Sequence, residues 1–164
     1  MNPAVFRLMC VLAVLALAGC ATPEAPFVAE RSTRSEVYWR TGSGVLVFEG
    51  VFAKGRDGAG VLQLFKGGPS PVLVLRLSHN GRARAGGPLS RKGWSGDRAD
   101  CPAFLAPGFA LLDIYLAGNR LPEGDREIHA PRVRAAADVR DGRLVRASAS
   151  SNETSSAIGV RFLE

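Results

Sequence analysis

Few side chains in this sequence are equipped for covalent chemistry. It holds three cysteines and two histidines in 164 residues. Cys20 ends the stretch "VLALAGC", where an apolar run that starts at Leu8 reaches Leu17, Ala18 and Gly19; Pro23 and Pro26 follow. A thiol placed where a hydrophobic segment stops is a candidate for carrying lipid. Cys10 lies inside the run, with no completed apolar stretch before it. Cys101 reads as a small buried hydrophobe. If Cys20 is a thioether, Cys101 has no partner, no disulfide forms, and the fold rests on its core.

The other reactive types form no constellation. His79, in "HNG", reads as a turn residue, and His129, in "EIHAPR", as an exposed one. No His, Cys or carboxylate cluster has metal-ligand spacing. Neither a Gly-x-Ser-x-Gly elbow nor a nucleophile–base set or pair of catalytic carboxylates is visible. The expectation is therefore no enzyme, no metal and no cofactor. Gly55, Gly58 and Gly60 in "GRDGAG" cluster like a phosphate loop. They join strand to strand, with no helix N-terminus behind them, so they read as a turn.

Met1 to Gly19 has the layout of a secretory signal: one basic residue, Arg7, then the short apolar run, then small residues. That run falls short of the ~20 residues that span a bilayer. Leu17-Ala18-Gly19-Cys20 resembles the bacterial lipobox. The resemblance implies diacylglyceryl transfer to the Cys20 thiol, cleavage before Cys20 and acylation of the new amine. Two such signals are what stable anchoring needs, because one acyl chain holds a membrane only marginally. Ala21 in place of Asp resembles lipoproteins sent on to the outer membrane, facing the periplasm. The implied organisation is a signal peptide at 1–19, a lipidated Cys20 with a flexible tether to 36, and one domain at 37–164. Extended, the tether would reach ~50 Å.

What must position any site is a mainly β domain. Val45–Lys54, Val61–Lys66 and Val72–Ser78 are β-rich runs bounded by Gly, Pro and Asn, with a weaker strand at Arg82–Ala85. Short loops favour antiparallel neighbours. "CPAFLAPGFALLDIYLAGN" is the one strong helix, with Pro107 in its first turn and Gly118-Asn119 as its stop. Leu105, Phe109, Leu112 and Leu116 make a stripe at helical spacing. A helix with so few charges is buried or covers an apolar space. "RVRAAADVR" and "RLVRASAS" flank Asp141-Gly142, a type I′ hairpin signal. Ile158, Val160 and Phe162 share one side of a final strand. The predicted class is α+β: a curved antiparallel sheet or half-barrel of about six to eight strands, with one apolar helix on or over it.

The formal net charge is +6. In "LSRKGWSGDR", Arg91 and Lys92 stand beside Trp94, a combination suited to lipid headgroups. A Trp capping the core among solvated charges fits the same residues. Arg132, Arg134, Arg140, Arg143 and Arg146 suggest a basic face on the C-terminal hairpin. For an envelope protein such a surface points to anionic lipid or glycolipid, and no nucleic-acid partner is expected.

A lipobox, a tether, a β-meander, one apolar helix and returning strands together resemble the lipoprotein-localisation carriers and receptors. The resemblance covers Val45 to Leu163 and rests on layout. It implies a half-barrel whose apolar cavity holds acyl chains. The sheet side of that cavity would be Leu46, Phe48, Phe52, Leu62, Leu64, Leu73, Leu75 and Leu77, covered by Phe109, Leu112 and Leu116. An acyl chain or a lipoprotein would be the ligand. The same residues would equally build a plain core. The alternative function is an interaction lipoprotein that docks an envelope partner or an anionic glycolipid through its basic surface.

Overall fold

In a computed structural model, residues 27–130 and 132–163 are described. Ten strands form one sheet: β1 Ala29–Thr41, β2 Gly44–Gly55, β3 Gly60–Phe65, β4 Leu73–Leu77, β5 Arg82–Gly86, β6 Trp94–Asp97, β7 Gly124–Ala130, β8 Val133–Arg140, β9 Arg143–Ser151 and β10 Ala157–Phe162. Helix α1, Ala106–Ala117, lies between β6 and β7 in the chain. The sheet order is β6-β5-β4-β3-β2-β1-β10-β9-β8-β7, antiparallel at every pairing. Consecutive strands pair throughout except β6 and β7, which lie at opposite edges, and at the centre the last strand closes on the first.

The turns follow from local chemistry. Asp141 and Gly142 take φ of 52° and 69°, the positive pair that a two-residue type I′ turn requires. At the end of α1, Gly118 (φ 41°) donates its N–H to the Ile114 carbonyl and stops the helix. The helix backbone also comes close to β4: a Cβ on Gly108 would lie 2.5 Å from Leu75 Cδ1. Glycine is what lets the first turn of α1 settle there.

One face of the sheet is apolar and packs on α1. Val37 pairs with Phe48 on one side and Val160 on the other, and all three are buried. Around them lie Phe52, Leu62, Leu64, Leu73, Leu75, Ala135, Ala137, Ala147, Ala149 and Ile158, with Phe109, Leu111 and Leu112 from the helix. The helix is buried nearly all round, including Ile114 and Tyr115, which widens the stripe expected from its spacing. It touches β4 as well as β8. No helix among the described residues is long and apolar enough to cross a membrane.

Two expectations need correction. The sheet has ten strands, not six to eight, because β1, β6 and β7 join the seven expected ones. The expected tether extends to residue 36, but 29–36 already belong to β1, paired with β2 from Ala29 onward. Within that stretch Ser35 points into the core at 0% exposure.

Candidate functional site

At the end of the sheet where β1 runs into β2, the apolar face opens into a groove of about 490 Å³. Trp39 of β1 and Leu46 of β2 form its sheet side, Leu89 and Arg91 come from the turn around the 3₁₀ segment Pro88–Ser90, and Phe104 leads into α1. The β9–β10 loop closes it with Thr154, Ser155 and Ser156. One polar relay fixes these pieces. The Trp39 indole Nε1 donates to Ser156 Oγ at 2.9 Å, and Ser156 Oγ donates to the Phe104 carbonyl at 3.4 Å. A strand, a loop and the lead-in to the helix are tied at one buried hydroxyl, which satisfies the indole N–H that burial would otherwise leave unpaired. Trp39 also meets Phe48 edge-on, with ring centres 6.4 Å apart.

Among the described residues Arg91 is the groove's only charged lining side chain. It sits at φ 61°, in the left-handed region that a non-glycine residue enters at a cost of ~1–2 kcal/mol. A cation held in strained backbone at the rim of an apolar groove suits a ligand with an acyl body and an anionic head. Its neighbours in sequence part company with it. Lys92 is exposed and does not line the groove, while Trp94 turns inward and meets Phe109 edge-on at 5.9 Å. Trp94 therefore caps the core, as one of its two readings anticipated.

The residues expected to line an apolar cavity are brought together on the helix face. Leu62, Phe109 and Phe48 are at most 3% exposed, and Phe52, Leu64, Leu73, Leu75 and Leu112 have no exposed surface at all. In this state they fill one another's space, leaving no room for a water-sized probe beside those five. Leu77 closes the far end of the sheet at 8% exposure. Leu46 and Leu116 are the partly buried members, and of these Leu46 lines the groove. Cys20 lies outside the described residues.

The remaining candidates are dispersed. His79 is exposed in the β4–β5 turn, 4.0 Å from Asp57, and His129 is exposed on β7, 3.4 Å from Glu127. Cys101 is buried, and burial raises its thiol pKa, as suits an inert packing residue. Of the hairpin arginines, Arg132 forks onto Glu153 (2.6 and 3.2 Å) and donates to the Ala99 carbonyl; Arg140 bonds Asp138. Arg134 and Arg146 stand on the sheet face away from α1. Asp113, the one charge on α1, pairs with Arg98. Burial pushes its pKa up to about 6, against the opposing pull of Arg98. Sequence reading missed the groove, whose parts come from five separate segments. Only Arg91 and Leu46 were singled out, each for a different reason. No family model and no curated protein matches this chain.

Proposed function

We propose that this chain is a lipid-anchored envelope protein that seats an acyl chain, or the acyl group of a lipidated protein, in the groove beside Trp39 and Leu46. Cys20 would carry the anchor, most simply in an outer membrane with the domain in the periplasm. The observation that carries the reading is the groove itself: an apolar hollow that continues the core and has a single cation at its lip. Arg91 would meet the carboxylate or phosphate of the ligand, and Leu46, Leu89 and Phe104 its first methylenes. Each CH₂ removed from water contributes ~0.8 kcal/mol, so about six of them supply ~5 kcal/mol before the cost of association. Transfer to a partner of higher affinity would need no catalysis.

A half-barrel shape would fit the same reading. Helix α1 touches β4 and β8, which lie six strand spacings apart in the sheet order. Flat, those strands would be ~29 Å from each other, while a helix with its side chains is only ~10–12 Å wide. A sheet that curls around the helix would let one short element reach both. Deeper entry of an acyl chain would then require Phe104 and α1 to swing away from the leucine-lined half.

The test is titration of the anchor-free Cys20→Ser protein with a fluorescent fatty acid and with the matching fatty alcohol. Leu89→Asp should weaken both by about tenfold or more, and Arg91→Glu should weaken the acid far more than the alcohol. Equal binding by all three proteins would refute the groove. Separately, Cys20→Ser should abolish palmitate incorporation in cells, and continued labelling would remove the anchor.

A further inference from the structure

The sheet face turned away from α1 carries a second hollow, and the ladder fixes its layout residue by residue. Across β7, β8, β9, β10 and β1, one row reads His129, Arg134, Ser150, Ala157, Arg40. The next reads Glu127, Ala136, Ser148, Gly159, Tyr38, and the third Asp125, Asp138, Arg146, Arg161, Glu36. The middle row is a floor of small side chains. Tyr38 forms its wall on β1, and arginines stand in the rows on either side. Two adjoining open hollows, of about 440 and 530 Å³, share Tyr38, Ala136, Ser148 and Gly159.

Two features of this basin have no explanation in packing. The first is Gly159, in mid-strand. Its φ is not positive, and a Cβ there would meet nothing within 4 Å. Glycine weakens a strand interior, and neither backbone nor neighbours ask for it here. Its effect is to keep the middle of the floor empty. The second is the charge. Arg161 is bridged to Glu36 at 2.7 Å, and Asp138, which faces Arg146 across the ladder, is taken by Arg140 at 3.0 Å. Among the described residues Arg40, Arg134 and Arg146 are left without an ion-pair partner, although all three line the hollows. Guanidinium groups gather in this way where planar, forked recognition of phosphate or carboxylate is wanted. The Ser148 and Ser150 hydroxyls on the floor suit a neutral, hydroxyl-rich body between the charges. The acids Glu127 and Asp125 are confined to the β7 margin, where Glu127 faces His129.

From these observations we propose that the outer basin binds a saccharide bearing more than one anionic group, with the sugar over Gly159 and Ser148 and its phosphates or carboxylates on Arg134, Arg40 and Arg146. It lies on the face opposite the acyl groove and stands or falls independently of it. Row-to-row and strand-to-strand spacings place Arg134 and Arg40 ~14 Å apart at Cα, across three strand intervals. That separation favours a ligand charged at both ends over a single phosphate.

The full chain, solubilised in a non-ionic detergent, is titrated calorimetrically with fructose 1,6-bisphosphate, with fructose and inorganic phosphate as controls. Saturable binding of the bisphosphate is expected, about tenfold tighter than phosphate, with none for fructose. Gly159→Val should fill the floor and weaken binding by about tenfold or more. The same variant should melt no lower than the parent, because valine favours a strand and has space there. Ser148→Val gives a second block of the floor, should the first fail to fold, and Arg134→Ala should lose a similar factor. Unchanged affinity in the folded floor variants, phosphate binding as tightly as the bisphosphate, or no uptake at about 10 mM would each overturn the proposal.

Discussion

Strands β2–β4 bring Phe48, Phe52, Leu62, Leu64, Leu73 and Leu75 to the core they share with α1, whereas β8 and β9 bring Ala135, Ala137, Ala147 and Ala149. Both sets are buried, yet they do different work. Small side chains let a helix backbone come down close to the sheet, and the most extensive contacts of α1 are with β9. On the other side large side chains fill the space between sheet and helix. A fully buried leucine or phenylalanine contributes ~1.5–3 kcal/mol, so most of the hydrophobic stabilisation lies in the leucine half. The alanine half sets where the helix sits. If α1 is to move for a ligand, it should hinge on the alanine side and open on the leucine side.

The comparison can be broken by truncation and by overpacking. Leu75→Ala removes a fully buried side chain beneath Gly108 and should cost ~2–5 kcal/mol in denaturant unfolding. A loss below ~1 kcal/mol would mean that the leucine half is loosely packed. Ala147→Leu adds volume where the helix lies closest and should cost ~1–3 kcal/mol. Tolerance of that leucine would deny the alanine half its role as a seat. Ser35 stands on central strand β1, between the halves, with a buried hydroxyl that has no partner among the described residues; a Cβ on facing Gly50 would lie 2.5 Å from its oxygen. Ser35→Ala should therefore raise stability by ~1 kcal/mol, since nothing offsets the desolvation of that oxygen.

A pH-dependent effect should come from Asp113, on the half-buried margin of α1. Its folded pKa, about 6, lies above the ordinary 3.8. The folded state therefore holds a proton that the unfolded chain releases, and this contribution to stability is present below the unfolded value and is lost as pH rises through about 6. Asp113→Asn should flatten that part of the pH–stability curve. A parent protein whose stability is level between pH 4 and pH 6.5 would show that Arg98 fully compensates the burial.

Seven strands and the helix were legible because each writes its burial into the sequence. Leu73, Leu75 and Leu77 alternate to one face, and Asp141-Gly142 announces its turn. The three strands that escaped lack such a mark. Strand β7, "GDREIHA", is exposed along its whole length, and β6 is only four residues long; they are the two edges of the sheet. Strand β1 hid its first half for a related reason. Residues 29–33 pair with β2 alone, and the C-terminal segment joins only from Arg34, whose carbonyl accepts the Leu163 N–H, so the early part of the strand reads as polar linker. A chain trimmed to begin at Glu36 would discard half of a central strand. The groove was illegible for another reason: Trp39, Leu89, Phe104 and Ser156 are each unremarkable until the fold gathers them.

The most direct measurement is native mass spectrometry of the Cys20→Ser protein, purified from cells without a delipidation step and sprayed before and after addition of a long-chain fatty acid. Acyl binding at the Trp39–Leu46 groove predicts an adduct of fatty-acyl mass that is retained or taken up by the parent and lost in Leu89→Asp. A bare polypeptide mass in both preparations, unchanged by added fatty acid, would contradict it.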